Sequence, residues 1–249
     1  MTDLTHDKVL GGRLQLWQPR RGFRFGMDAV ILAAACKVAP GDRVLELGCG
    51  VGCALLCLGA RVDGLSLTGV EISADYADLA RRNAAEAGIA ARIVTADLAA
   101  LPADLRQETF DHVLMNPPYF RPAASTASDD ADRDRALRGE TPLADWVDVA
   151  ARRLAPGGRL TLIQRVDRLP EILAALDGRL GSIVVRPIAN RIDAAPDRVL
   201  VGARKGGRAD FCLAPPLIVF GDDPGPDGKA YAPELSAVLR DGAALSLNP

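Results

Sequence analysis

Gly48, Gly50 and Gly52 stand at alternate positions directly behind the apolar run Arg43–Leu47, and a helical pattern runs from Gly52 to Ala60. A strand that must become a helix at once, through a segment poor in Cβ atoms, marks the opening of a parallel α/β sheet. It also lets the backbone approach closely whatever lies at the turn. The following sequence repeats the scheme. Leu67–Glu71 predicts a second strand; Ser73 starts a helix with Tyr76, Leu79, Ala80, Ala84 and Ala87 on one side, and Gly88 ends it. Arg92–Ala96 and Phe110–Met115 predict the third and fourth strands. Arg159–Gln164 is the fifth, after a helix opened by Thr141-Pro142 with Leu143, Trp146, Val147, Ala150 and Leu154 on its apolar face. Leu169, Ile172, Leu173, Leu176 and Leu180 mark another helix. The alternation predicts one doubly wound α/β domain. Ile183–Arg186 and Val199–Ala203 have no convincing helix between them and are expected to form a hairpin at the sheet edge.

Chemistry-bearing residues fall where these strands end. Glu71 closes the second strand, where a carboxylate can accept from both hydroxyls of a ribose. Asp97 closes the third, where it can accept from an adenine amino group. Asn116-Pro117-Pro118-Tyr119 closes the fourth. Two prolines remove two N–H donors and fix φ, leaving a stiff loop that presents carbonyls. Asn116 adds a neutral acceptor and Tyr119 a flat ring, a combination suited to a planar NH2 group. Each acid taken singly is equally a solvated strand end, and the glycine turn alone is weak, since it lacks the two-residue gap of the nicotinamide fingerprint. Their succession on consecutive strand ends is what carries the argument.

In front of the sheet, Lys8–Gly26 alternates apolar and polar residues and predicts a hairpin with a basic tip at Pro19-Arg20-Arg21-Gly22, followed by a helix over Asp28–Val38. The chain divides on this reading into an N-terminal appendage (1–40), a catalytic core (41–213) and a C-terminal extension (214–249) with a short helix around Glu234–Arg240. Net charge is −2 and the pI about 5.8, so a nucleic-acid partner must be held by local basic faces. Three clusters qualify: Arg13, Arg20, Arg21 and Arg24; Arg121, Arg133, Arg135 and Arg138; and Arg204, Lys205 and Arg208. The middle cluster lies in Phe120–Gly139, a polar stretch read as a long loop. Cys49, Cys53 and Cys57 share a helical spacing, but His6 and His112 are the only histidines, and small buried thiols explain the spacing better than a metal site. The first residues lack the pattern of a signal peptide, and the longest apolar run, Ala29–Ala39, is too short to span a bilayer, so the protein is expected in the cytoplasm.

Gly48-Cys49-Gly50-Val51-Gly52, Glu71, Asp97 and Asn116-Pro117-Pro118-Tyr119 together resemble the successive motifs of class I S-adenosylmethionine-dependent methyltransferases, over roughly Arg20 to Arg204. Leu10-Gly11-Gly12, Leu16-Trp17-Gln18-Pro19, Gly22-Phe23-Arg24-Phe25 and Asp28-Ala29-Val30-Ile31-Leu32-Ala33 resemble more narrowly the bacterial tRNA (adenine-N6)-methyltransferases; Trp17 replaces an aliphatic residue usual there. The resemblance implies a Rossmann-like, mostly parallel sheet with an antiparallel last strand. It implies S-adenosylmethionine bound by Phe25, Asp28, Glu46, Gly48, Cys49, Gly50, Gly52, Glu71, Ile72, Asp97, Leu98 and Asn116, with Phe25 and Asp28 near its methionine end. Asn116, Pro117, Pro118 and Tyr119 would be catalytic, and Tyr119, Phe120, Arg20, Arg21 and Arg24 would meet RNA. The implied reaction methylates N6 of an adenine in tRNA beside the anticodon, without a metal or a membrane. Rival readings are a glutamine-N5 methyltransferase of release factors, a guanine-N2 rRNA methyltransferase, and a catalytically silent module that binds RNA or the cofactor.

Overall fold

The structure is a computed structural model that describes residues 3–119, 141–221 and 230–247. It opens with strands β1 (Leu4–Val9) and β2 (Leu14–Pro19), followed by helix α1 (Met27–Ala35). Then come β3 (Arg43–Leu47), α2 (Cys53–Arg61), β4 (Ser66–Glu71), α3 (Ala74–Glu86), β5 (Ala91–Thr95), α4 (Ala103–Gln107) and β6 (Phe110–Met115). The second half holds α5 (Leu143–Arg153), β7 (Leu154–Arg165), α6 (Leu169–Leu176), β8 (Gly181–Ala189), β9 (Arg198–Arg204), the short β10 (Cys212–Leu213) and β11 (Leu217–Ile218), and α7 (Pro233–Ser236).

The main sheet runs β10-β8-β9-β7-β6-β3-β4-β5, with β11 also on β8. Strands β7, β6, β3, β4 and β5 are parallel, and β9 is antiparallel to both its neighbours. From β3 the chain winds outward through β4 and β5, then returns to lay β6 on the other side of β3. That reversal opens a crevice at the carboxyl ends of β3 and β6, where sheets of this kind take ligands.

Both faces of the sheet are covered, so its strands read as nearly continuous apolar runs. Alternate residues still divide between two cores, as the pleat requires. Val44 and Leu114 pack with α1, α2 and α3, together with Leu235, Val238 and Leu245 of the C-terminal segment. Leu45, Leu47, Val113 and Met115 pack with α5 and α6 on the other face. The C-terminal segment is fastened by Arg186, which donates to both oxygens of Glu234 at 3.0 and 2.7 Å and to the Ser246 carbonyl at 2.6 Å.

Two expectations are corrected here. The N-terminal hairpin turns at Leu10-Gly11-Gly12, and Pro19-Arg20-Arg21-Gly22 follows its second strand instead of forming its tip. Gly-Gly is the better turn former, while Pro19 still pairs with Leu4 as the last residue of β2. The late hairpin of β8 and β9 is not the sheet edge, because β9 lies between β7 and β8, and β10 and β11 pair with β8 beyond it. Two-residue strands carry too little periodicity to be seen in sequence.

Fully buried Asn83 docks the hairpin on α3. Its Oδ1 accepts the Trp17 backbone N–H at 2.7 Å, and its Nδ2 donates to the carbonyls of Trp17 and of Val51, each at 3.0 Å. One amide thus ties β2 to the glycine turn. The Trp17 ring stacks on His6 with centroids 4.2 Å apart, and the Arg82 guanidinium lies over it, 4.1 Å from its centroid. No helix among the described residues is long and apolar enough to cross a membrane.

Candidate active site

The crevice is a cavity of about 410 Å³. Its floor is the glycine turn between β3 and α2, and its sides come from the ends of β4, β5 and β6. Of the residues predicted to meet the cofactor, Phe25, Asp28, Glu46, Gly48, Cys49, Gly50, Glu71, Ile72, Asp97, Leu98 and Asn116 line it; Gly52, the N-cap of α2, is not part of its wall.

Gly48 shows why the turn needs glycine. Its φ is +67°, and a Cβ there would lie 2.6 Å from the tip of the Trp146 ring, which forms part of the wall. Glu71 is 7% exposed. Its two oxygens accept the backbone N–H groups of Gly50 at 2.8 Å and Ser73 at 2.9 Å, which leaves each oxygen further acceptor capacity toward the cavity. Burial raises its carboxyl pKa, and those N–H groups act the other way. Asp97 uses Oδ1 to accept the Ala99 N–H at 2.9 Å and presents an exposed carboxylate at the rim. Cys49, Cys53 and Cys57 are buried thiols, and among the described residues no cluster of three metal-binding side chains occurs.

Glu46 is buried beneath the turn, with one oxygen accepting the Leu55 N–H at 2.9 Å. Burial pushes its carboxyl well above the ordinary glutamate range; the Leu55 bond opposes this and the nearby Glu71 charge adds to it. A carboxyl whose folded-state pKa is raised favours the fold while it is protonated. That contribution is lost as pH rises from the unfolded value, ~4.3, through the elevated folded one. Glu46→Gln, which keeps the acceptor, is therefore expected to raise Tm at neutral pH and flatten its decline from acid to neutral. Thermal melts across about pH 5–8 check this, and an unchanged slope would refute it.

At the end of β6, Asn116 Oδ1 is buried and has no donor among the described residues. The other buried unpartnered side-chain atom among them, His112 Nδ1, lies near the opposite end of the same strand, where His112 Nε2 is 3.6 Å from Asp42. An unsatisfied acceptor in a cavity wall is costly unless a ligand donor meets it. The two carbonyls after Asn116 are held from behind: Gln164 Nε2 donates to Pro117 at 3.1 Å, and Arg168 Nη1 to Pro118 at 3.4 Å.

Tyr119 is fixed by its hydroxyl, which donates to Asp28 Oδ2 at 2.5 Å, while Arg198 pairs with Asp28 Oδ1. Burial, with the Asp28 charge beside it, raises the phenol pKa far above its ordinary value, so it remains a neutral donor. Asp28 thus joins the cavity wall to the aromatic platform, a role beyond the one foreseen for it. Arg198 and Gln164 gave no sequence signal as site residues, nor did the aromatic wall of Phe23, Tyr76 and Trp146. Phe23 is 44% exposed at the rim, and the Tyr76 hydroxyl donates to its carbonyl at 3.1 Å.

The basic clusters look different once folded. Arg24 is exposed and lines the cavity edge, but its guanidinium is engaged within the protein, donating to the Pro19 carbonyl at 2.7 Å and Thr5 Oγ1 at 2.9 Å and pairing with Asp7. Arg20 pairs with Asp3 at the surface, and Arg21 is exposed. Lys205 donates to the carbonyls of Ala151 and Leu154, and Arg204 to that of Gly157. Phe120, Arg121, Arg133, Arg135 and Arg138 lie outside the described residues.

Comparison with known proteins fits this geometry. The family profile described as Methyltransferase domain matches residues 44–133. A tRNA1(Val) (adenine(37)-N6)-methyltransferase of Porphyromonas gingivalis is 32% identical over 198 residues, covering 76% of this chain and 77% of that protein. The chain belongs to this family of class I S-adenosylmethionine-dependent methyltransferases. A release factor glutamine methyltransferase of Chlorobaculum tepidum is 31% identical over 66% of this chain and 59% of its own length. Among solved structures, a predicted O-methyltransferase of Agrobacterium tumefaciens superposes with a TM-score of 0.71 at 29% identity, covering 88% of this chain and 98% of that one. The methyltransferase is thus an S-adenosylmethionine-dependent N-methyltransferase with the expected Rossmann-like sheet.

Proposed function

We propose that this enzyme methylates the exocyclic N6 amine of an adenine in tRNA, beside the anticodon. The observation that carries the reading is the buried, unpartnered Asn116 Oδ1, next to the Pro117 carbonyl at the ligand end of the sheet. In this reading Glu71 accepts from the ribose hydroxyls of the cofactor and Asp97 from its adenine, while Phe25, Ile72 and Leu98 supply apolar walls. Asp28, Glu46, Gly48, Cys49, Gly50 and Gly52 shape the rest of the pocket.

S-adenosylmethionine, when bound, supplies a methyl group already activated on a sulfonium. The protein's task is then to hold and aim the nucleophile. The lone pair of an adenine amine is delocalised into the ring. Two hydrogen bonds, from the amine to Asn116 Oδ1 and to the Pro117 carbonyl, favour a more tetrahedral nitrogen and direct its remaining lone pair toward the methyl. Such orientation is worth up to about 7–11 kcal/mol. The same acceptors stabilise the positive charge that develops on nitrogen. No strong base is needed, because an alkylated ammonium of this kind is very acidic. That suits a wall with neither His nor Lys among its described residues.

Tyr119, its ring set by the Asp28–Arg198 pair, stacks on the base. Stacking contributes about 1–3 kcal/mol, comparable with the few kcal/mol needed to draw a base from a loop. Arg20 and Arg21 meet phosphate; Arg24 acts by fastening their segment, since its guanidinium is engaged with Asp7, Thr5 and Pro19.

The test is transfer of labelled methyl groups to unmodified tRNA and, separately, to release factors. Label in tRNA that digests to N6-methyladenosine is the expected result. Label entering protein alone, or guanosine alone, would overturn the assignment.

A further inference from the structure

Gln164 has no exposure to solvent and is not part of the cavity wall, yet both ends of its amide are engaged. Its Oε1 accepts the backbone N–H of Arg165 at 2.9 Å, and its Nε2 donates to the Pro117 carbonyl at 3.1 Å. The sheet explains the meeting. Strands β6 and β7 are parallel neighbours whose ladder ends at Met115 opposite Leu162, so two residues further on Gln164 stands level with Pro117. Pro117 and Pro118 have no N–H, and the ladder cannot continue through them. A side-chain amide bridges the two strands at the point where backbone pairing stops.

The preceding positions of β7, Leu162 and Ile163, are apolar and buried, so a Leu or Met would suit the packing. A buried amide is costly unless its groups are bonded. Here the bonding is directional. A carbonyl oxygen has two lone pairs, and a donor held on one of them leaves the other a defined direction. Gln164 lies outside the cavity wall while Pro117 and Asn116 are part of it, so the bond from Gln164 occupies the Pro117 carbonyl from the sheet side.

We propose that Gln164 is a positioning residue for methyl transfer. It fixes the Pro117 carbonyl so that the oxygen and Asn116 Oδ1 together receive the two hydrogens of the substrate amine. This rests on the reading of the site as an amine methyltransferase. Gln164 touches neither substrate nor cofactor; it acts through the angle of one carbonyl. A shift of that oxygen leaves the amine held at one point only and free to rotate away from the line of attack, while the distant ribose and adenine contacts are untouched.

Two variants test this by different readouts. Gln164→Met fills the same space without a donor. It is expected to fold with a lowered Tm, because the Arg165 N–H and the Pro117 carbonyl lose their partner, and to keep the wild-type cofactor Kd while kcat on tRNA falls about 10- to 100-fold. Gln164→Glu places a carboxyl group against the Pro117 carbonyl. Burial favours the protonated carboxyl, which can still donate to Pro117, so the variant is expected to keep activity at low pH and to lose it as pH rises and the carboxyl ionises, a fall the wild type does not show. Either variant alone decides the matter if the other does not fold. Wild-type kcat in folded Gln164→Met, a fall in cofactor affinity as large as the fall in kcat, or a Gln164→Glu pH profile parallel to wild type would each overturn the proposal. Failure of the wild type itself to methylate tRNA would instead overturn the functional reading on which it rests.

Discussion

Asn116→Ala is expected to lower kcat by about 10²–10³-fold, the range found when one preorganised polar group is removed from a reacting centre. The cofactor Kd should stay within about threefold of wild type, under about 0.7 kcal/mol. The asymmetry follows from position. Asn116 follows β6, and its Oδ1 has no partner among the described residues, so removing that oxygen breaks no hydrogen bond among them. Tm should therefore be little changed, and a slight rise would be consistent with the loss of a buried, unsatisfied acceptor. Single-turnover methyl transfer measured beside calorimetric cofactor binding separates the two quantities. Equal losses in both would mean that the side chain supports the pocket and does not aim a nucleophile.

Glu71→Ala is expected to do the reverse, weakening cofactor binding by about 100-fold or more, since two charge-assisted hydrogen bonds of about 1.5–3 kcal/mol each are at stake. The variant also strips the acceptor from the Gly50 and Ser73 N–H groups, which loosens the glycine turn itself. Calorimetric titration with S-adenosylmethionine and with adenosine measures the loss. If the carboxylate meets the ribose, both ligands weaken together. Unchanged adenosine affinity would place the ribose elsewhere.

Strands β3 and β6 were legible in the sequence residue by residue, and the reason is physical. A strand buried on both faces reads as a nearly continuous apolar run, and here each run is cut off by residues that cannot extend it, glycines after Leu47 and prolines after Asn116. Because the strands are parallel and adjacent, their carboxyl ends share one edge of the sheet, so Glu71, Asp97 and Asn116 could be foreseen to converge. The turn of the N-terminal hairpin was misplaced because Pro19-Arg20-Arg21-Gly22 also carries Pro and Gly and ends the alternating run, although Gly11-Gly12 is the better turn former. Trp146 and Tyr76 have the spacing of core-facing helical residues, and they are that; nothing in the spacing says that the tip of the Trp146 ring reaches Gly48. The pairing of Arg198 with Asp28 joins positions 170 residues apart and leaves no local pattern. Arg24 and Lys205 looked like phosphate ligands because their backbone carbonyl partners, at Pro19 and at Ala151 and Leu154, are fixed only by the fold.

The most direct test of the amine-holding notch is a crystal structure of the enzyme with S-adenosylhomocysteine and adenosine, or a short anticodon-loop RNA. The account predicts the N6 nitrogen within hydrogen-bonding distance of both Asn116 Oδ1 and the Pro117 carbonyl oxygen, with the base lying on the Tyr119 ring. A base bound elsewhere, or an Asn116 oxygen turned onto a donor of the protein itself, would contradict it.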